Sequence, residues 1–165
     1  MQVSFRLDEH GWSDLDLWIG DTHKNFCVTH IFNSPLEVIT DSLIVLLRGG
    51  NEAKFELHEE PGVHIWQLSR VLDQHHLLDV SITSHEDNLD PSKSPFEVTS
   101  FTVARDFFIA SFIAELEKIS TQLSFPRFAK NRDFSEFPWT AFKQLRQLKS
   151  IQCEQDAAGN PLPDM

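Results

Sequence analysis

At 165 residues, with 41% hydrophobic side chains including fourteen Phe and four Trp, the chain has the material for one packed core. A domain of this size buries roughly 70% of its unfolded surface, which sets disorder of the whole chain aside. Fourteen Lys and Arg against twenty-five Asp and Glu give a net charge of −11, a sign that repels phosphate backbones and anionic lipid and attracts a protein with a basic surface, so no nucleic-acid or membrane role is expected.

Val3, Phe5 and Leu7 alternate with Gln2, Ser4 and Arg6, the pattern of a half-buried strand, and His10-Gly11 marks a turn. Leu15, Leu17 and Ile19 then alternate with Asp14, Asp16 and Trp18, and Gly20-Asp21 ends that strand. Phe26 to Phe32 is apolar on both parities and reads as a central strand. A helix follows: Ser34 suits the N-cap, Pro35 the first helical position and Glu37 the capping box. Leu36, Ile39, Leu43, Leu46 and Leu47 keep helical spacing up to the Gly49-Gly50 stop.

Ala53 to Arg70 reads as two strands joined at Glu60-Pro61-Gly62, with Pro61 and Gly62 suited to the centre of a type II turn. Pairing centred on Glu60/Val63 or on Glu59/Gly62 leaves the faces unchanged. One carries Ala53, Phe55, Leu57, His64, Trp66 and Leu68; the other carries Lys54, Glu56, His58, Ile65 and Gln67. Leu78, Val80 and Ile82 mark a further strand, His85 to Pro95 an exposed loop, and Phe96 to Val103 a last strand.

A long helix is expected from about Ala104 to Leu123, with Ile109, Phe112, Ile113, Leu116, Ile119 and Leu123 on its buried stripe and Glu115, Glu117 and Lys118 away from it. Phe125-Pro126 breaks it, and Arg127 to Arg132 is a basic loop. A final helix starts near Pro138, with Ser135 or Glu136 leading in and Trp139, Phe142, Leu145 and Leu148 facing inward. The expected fold is α+β: a mainly antiparallel sheet of about six to seven strands with two to three helices packed on one face. Residues 1–153 form a single domain and 154–165 a flexible C-terminal tail.

Cys27 and Cys153 make no disulfide framework and have no metal-ligand spacing, so buried, reduced thiols are expected. The first ten residues lack a basic region followed by an apolar run, and no stretch approaches the ~20 apolar residues of a membrane span. The reading is a cytoplasmic protein. Phosphate-loop, dinucleotide, zinc-protease, nucleophile-elbow and C-x-x-C motifs are absent. No catalytic residue, cofactor or metal site is assigned; the eight histidines are scattered, with His75 and His76 on opposite faces of any strand.

Two constellations remain. Glu59 and His64 share a face and form a candidate acid–base pair, against the plainer alternative of a solvated ion pair. Trp18 shares its parity with Asp14 and Asp16 and lies near Asp21, an aromatic anchor in an acidic rim that suits recognition of a basic protein; the alternative packs Trp18 under a loop or second sheet. Glu59 and Glu60 extend that acidic surface if the fold places them beside it.

The D-L-D-L-W strand at Asp14–Trp18, the helix at Ser34–Arg48, the E-P-G hairpin at Glu60–Gly62 and the F-P-W helix at Phe137–Trp139 together resemble small bacterial α+β proteins of the toxin-immunity type. That resemblance implies a non-catalytic module neutralising a basic toxin. The composition supports a protein-binding module using Asp14, Asp16, Trp18, Asp21, Glu59 and Glu60. Alternatives are a small-ligand binder or enzyme with a pocket between sheet and helices near Glu59, His64 and His58, and a subunit of a larger assembly.

Overall fold

The computed structural model describes residues 1–8, 11–87, 94–125 and 136–159. Strands β1 (Gln2–Leu7), β2 (Trp12–Ile19) and β3 (Thr22–Thr29) form one antiparallel meander. After helix α1 (Pro35–Leu47), strands β4 (Glu52–His58), β5 (Val63–Val71), β6 (Gln74–His85) and β7 (Glu97–Ala104) form a second. Helices α2 (Arg105–Leu123) and α3 (Trp139–Gly159) follow. The α+β class is as expected, but the single sheet is two sheets, of three and four strands. Alternation decides which face of a strand is buried and says nothing of which strands pair. Here α1 separates β3 from β4, and the two strands share no ladder.

In the first sheet Phe5, Leu15 and Phe26 lie side by side and face inward with Val3, Leu7, Leu17 and Val28. In the second, Phe55, Trp66 and Ile82 form one inward row, and Ala53, Leu68 and Val80 another. The two faces read from Ala53–Arg70 therefore stand. Phe26 packs edge-on to Trp66 at 5.5 Å, Phe55 stacks on Trp66 at 5.2 Å and Phe112 of α2 meets it edge-on at 6.1 Å. One aromatic knot thus joins both sheets to a helix.

β3 is an edge strand of its sheet, not a central one. Phe26 and Val28 point inward while Cys27 between them is exposed, so its apolar character on both parities does not mark burial on both faces. The strand passes across one end of the second sheet. Lys24 forms an ion pair with Glu97 of β7, Phe26 packs on His64 and Trp66 of β5, and Phe32, beyond the strand, lies against His58 of β4.

α1 begins as its sequence dictates: the Ser34 side chain accepts the Glu37 N–H, and Gly49 at φ +91° closes the helix in the left-handed region. It packs on β4 and α3, and α2 packs on β1, β6 and β7. Glu115 does not simply point away from the stripe of α2. Its carboxylate accepts the Phe5 N–H of β1 at 2.7 Å and pairs with Lys118. Phe137, Phe142 and Leu145 are buried around α3, which continues past Cys153 to Gly159. His10, most of the loop before Pro95, the segment 127–132, Ser135 and residues 160–165 lie outside the described residues.

The β4–β5 turn differs from expectation. The ladder closes at His58 and Val63, so Pro61 stands third in the Glu59–Gly62 turn, after a cis Glu60–Pro61 bond as in a type VI turn, and not second as in a type II turn. The Glu59 N–H donates to the Gly62 carbonyl at 2.9 Å and His58 pairs with Val63, the register of the Glu59/Gly62 alternative. Gly62 is needed for space and not for a left-handed φ. A Cβ there would lie 2.7 Å from the His85 carbonyl oxygen and 2.8 Å from Glu59 Oε1.

Candidate functional site

The period of two sets Asp14, Asp16 and Trp18 on the outward face of β2, because Leu15 and Leu17 face the core. Cross-strand pairing then decides their neighbours. Asp14 stands between Arg6 and Cys27, Asp16 between Ser4 and Asn25, and Trp18 between Gln2 and His23. Arg6 contacts both Asp14 and Asp8. Burial and the adjacent Asp14 carboxylate push Asp8 above its ordinary value, with Arg6 opposing. Burial would also raise Asp16, but hydrogen bonds from Asn25 at 3.0 Å and His23 at 2.8 Å outweigh it and hold the carboxyl below its ordinary value.

Trp18 is half-buried and stacks on the His23 ring at 4.7 Å, so its flat face is already partly covered. Asp21 is exposed at the β2–β3 turn, beyond Trp18. Glu59 and Glu60 lie at the β4–β5 tip, and Cys27 connects that tip to the strand face. Although Cys27 is exposed, its thiol is pushed up first by partial desolvation and then by the fields of Asp14, Glu59 and Asp8. Asp8 and Asp14 share Arg6, Asp14 stands opposite Cys27, and Phe26 beside Cys27 packs on the His64 that Glu59 approaches, whereas Trp18 and Asp21 lie at the far end of β2. Both cysteines are free and exposed, which corrects the expectation of buried thiols.

An apolar feature that the sequence reading missed lies beside the tip. Ile31 and Phe32 are 65% and 50% exposed in the link between β3 and α1. Their backbone is nonetheless pinned: the His30 N–H donates to Gly11 O at 3.2 Å, the Ile31 N–H to Thr29 Oγ1 at 3.3 Å, and Asn33 Nδ2 to Glu56 O at 2.9 Å. Phe32 leans on His58 with ring centroids 5.3 Å apart, one residue before Glu59. The only sequence signal was their place in an apolar run, which reads equally well as strand.

Glu59 and His64 do approach, although Leu57 and not Glu59 stands opposite His64 in the ladder. Glu59 Oε2 lies 3.4 Å from His64 Nε2, and Ser84 Oγ lies 2.9 Å from Nδ1. The pair is no solvated ion pair, since His64 is 5% exposed. Burial holds its imidazole below the ordinary 6.5, and Glu59 opposes only in part. The Glu–His–Ser order has the composition of a nucleophile relay, but Ser84 is 2% exposed and presents no attacking atom to solvent. What it does chemically is fix a ring inside the core.

Among the described residues, no group of three or more His, Cys, Asp or Glu is placed to hold a metal ion, and no helix is long and apolar enough to cross a membrane. A cavity of about 430 Å³ opens on the outer face of the second sheet, lined by Ser69, Asp79, Ser81, Ser100 and Thr102 among others. It lies on the face opposite His64, so the expected pocket beside Glu59 and His64 is not this one.

No family model matches the chain, and no curated protein does. A chain of the solved "CdiA-CT/CdiI toxin and immunity complex from Enterobacter cloacae" aligns with 70% of this chain and 97% of its own length, at 8% identity and a TM-score of 0.46. This is a fold-level likeness alone and carries no functional argument.

Proposed function

We propose that the protein is a non-catalytic binding module that holds a protein partner with a basic surface. The observation that carries this reading is the closeness of two acidic segments: Asp14 stands opposite Cys27 in the β2–β3 ladder, and Phe26, next along β3, packs on His64, which Glu59 of the hairpin tip approaches to 3.4 Å. Glu60 is exposed at that tip, and the pinned Ile31–Phe32 link beside it offers apolar area at little further ordering cost. Acidic groups around an apolar anchor speed encounter with a cation-rich partner, while the anchor governs dissociation. Asp14, Asp16, Asp21, Glu59 and Glu60 supply the charge in this reading, and Trp18 is a peripheral contact at the far end.

Affinity capture from the native organism tests it, comparing the wild type with Asp14→Asn/Glu59→Gln/Glu60→Gln. A basic protein held at low salt by the wild type and lost by the variant supports the reading. Retention of the same proteins by both sinks it. The specific case implied by the motif resemblance is an immunity-type protein in the cytoplasm that occludes a basic toxin domain. Co-expression with a genetically linked toxin tests that case alone, and unprotected cells would remove it while leaving the broader reading intact.

A further inference from the structure

Two histidines at the base of the acidic tip meet the β3 segment. His58, at the end of β4, touches Phe32 of the β3–α1 link with ring centroids 5.3 Å apart, and His64, near the start of β5, meets Phe26 of β3 edge-on at 4.9 Å. Two of the contacts that seat this segment on the second sheet are therefore made to titratable rings. The same rings face carboxylates. His58 Nε2 lies 3.7 Å from Glu56 Oε2, and His64 Nε2 lies 3.4 Å from Glu59 Oε2.

Other groups complete the surroundings of the two rings. Glu56 also holds Lys54 at 2.9 Å, Glu97 of β7 acts on His64 while paired with Lys24 of β3, and Ser84 of β6 meets His64 Nδ1 at 2.9 Å. Among the described residues, His58 Nδ1 and His64 Nε2 are buried and make no hydrogen bond, and no group of three or more His, Cys, Asp or Glu is placed to hold a metal ion. A proton is thus the cation these rings can bind.

We infer that the tip is gated by protons: it holds a basic partner in neutral solution and releases it in mild acid, when His58 and His64 become charged beside Glu56 and Glu59. The inference rests on the binding reading above and adds its regulation. Burial holds both rings below the ordinary 6.5, against Glu56 at His58 and against Glu59 and Glu97 at His64, so both are neutral when the partner is captured. Acid then sets a positive charge next to each carboxylate. The field that draws a cationic partner fades, and so does the advantage of lysines and arginines docked there. Phe32 and Phe26 rest on the two rings that change charge, so the apolar anchor and the acidic rim respond to the same event.

A synthetic decalysine peptide serves as the probe, because its ammonium groups stay charged between about pH 7.5 and about pH 5.5. Its dissociation constant, read from the amide shifts of Phe32 and Glu60 at fixed ionic strength, is expected to rise about three- to tenfold over that range. In His58→Gln/His64→Gln the rise should shrink to about twofold or less, the residue belonging to histidines elsewhere in the chain. The wild type offers a second readout that needs no substitution. Proton and partner must oppose each other reciprocally, so saturating peptide should move the NMR titration midpoints of the His58 and His64 rings to lower pH. If the double variant does not fold, those midpoints decide alone. No binding in neutral solution removes the binding reading and the gating with it. Binding of equal strength at both ends of the range overturns the gating alone, as does a rise undiminished in the variant or ring midpoints that the peptide leaves in place.

Discussion

Ser84 Oγ lies 2.9 Å from Nδ1 of His64, with the two residues 2% and 5% exposed, so each supplies a hydrogen-bond partner that solvent cannot replace. The first prediction follows from that closure. Ser84→Ala strands a buried ring nitrogen and is expected to cost ~1–3 kcal/mol in urea denaturation. A cost within error would mean that the ring finds another partner or that water enters.

The pH dependence has a defined sign. Burial depresses His64 below 6.5, against Glu59 and Glu97, and depresses His58 against Glu56. Below about 6.5 the unfolded chain therefore binds more protons than the folded one, so stability is complete above that pH and falls as pH drops through it. Asp16 and Asp106, held below their ordinary 3.8, lose their contribution only in more acidic solution, while the raised Asp8 acts in the opposite direction. The urea midpoint should stay level from about pH 8 to 7 and decline towards pH 5. His58→Gln/His64→Gln should flatten the decline; an equally steep one would place its origin elsewhere.

Gly62→Ala tests the tip. The new Cβ meets a backbone oxygen at 2.7 Å, which cannot swing aside as a side chain can. Expected is a loss of ~1–3 kcal/mol, with amide shift changes concentrated at Glu59, Gly62 and His85. A variant as stable as the wild type would show that the hairpin shifts freely against β6.

Glu115 offers a comparison of two substitutions. Glu115→Ala removes the acceptor of the Phe5 N–H and should cost ~1.5–3 kcal/mol, whereas Glu115→Gln keeps an oxygen there and should cost less. Equal losses would assign the effect to the Lys118 ion pair instead.

Phe32→Ser separates binding from folding. The ring is 50% exposed and touches His58 from outside, so stability should change by about 0.5 kcal/mol or less, while capture of the basic partner weakens. Unchanged capture would remove Phe32 from the interface.

Residue by residue, the sequence disclosed local matters and withheld those set by tertiary contact. Alternation placed Asp14, Asp16 and Trp18 outward and Phe55 and Trp66 inward, because those choices depend only on a period of two. Ser34 and Pro35 announced α1 through backbone chemistry confined to one turn. Nothing local reveals that Phe26 crosses to Trp66, that Glu115 reaches Phe5 across 110 positions, or that Ser84 turns to His64. The half-cover of Trp18 likewise comes from His23 on the next strand. The exposure of Phe32 was hidden because an apolar side chain has the same letter whether packed or displayed.

β3 carries Cys27 on its outward side and Phe26, one residue away, wedged against His64 and Trp66. A ligand that immobilises the outside of this strand would damp fluctuations of the aromatic knot directly beneath it. Tight capture should therefore leave a signature far from any contact, as slower amide proton exchange at the centre of β5.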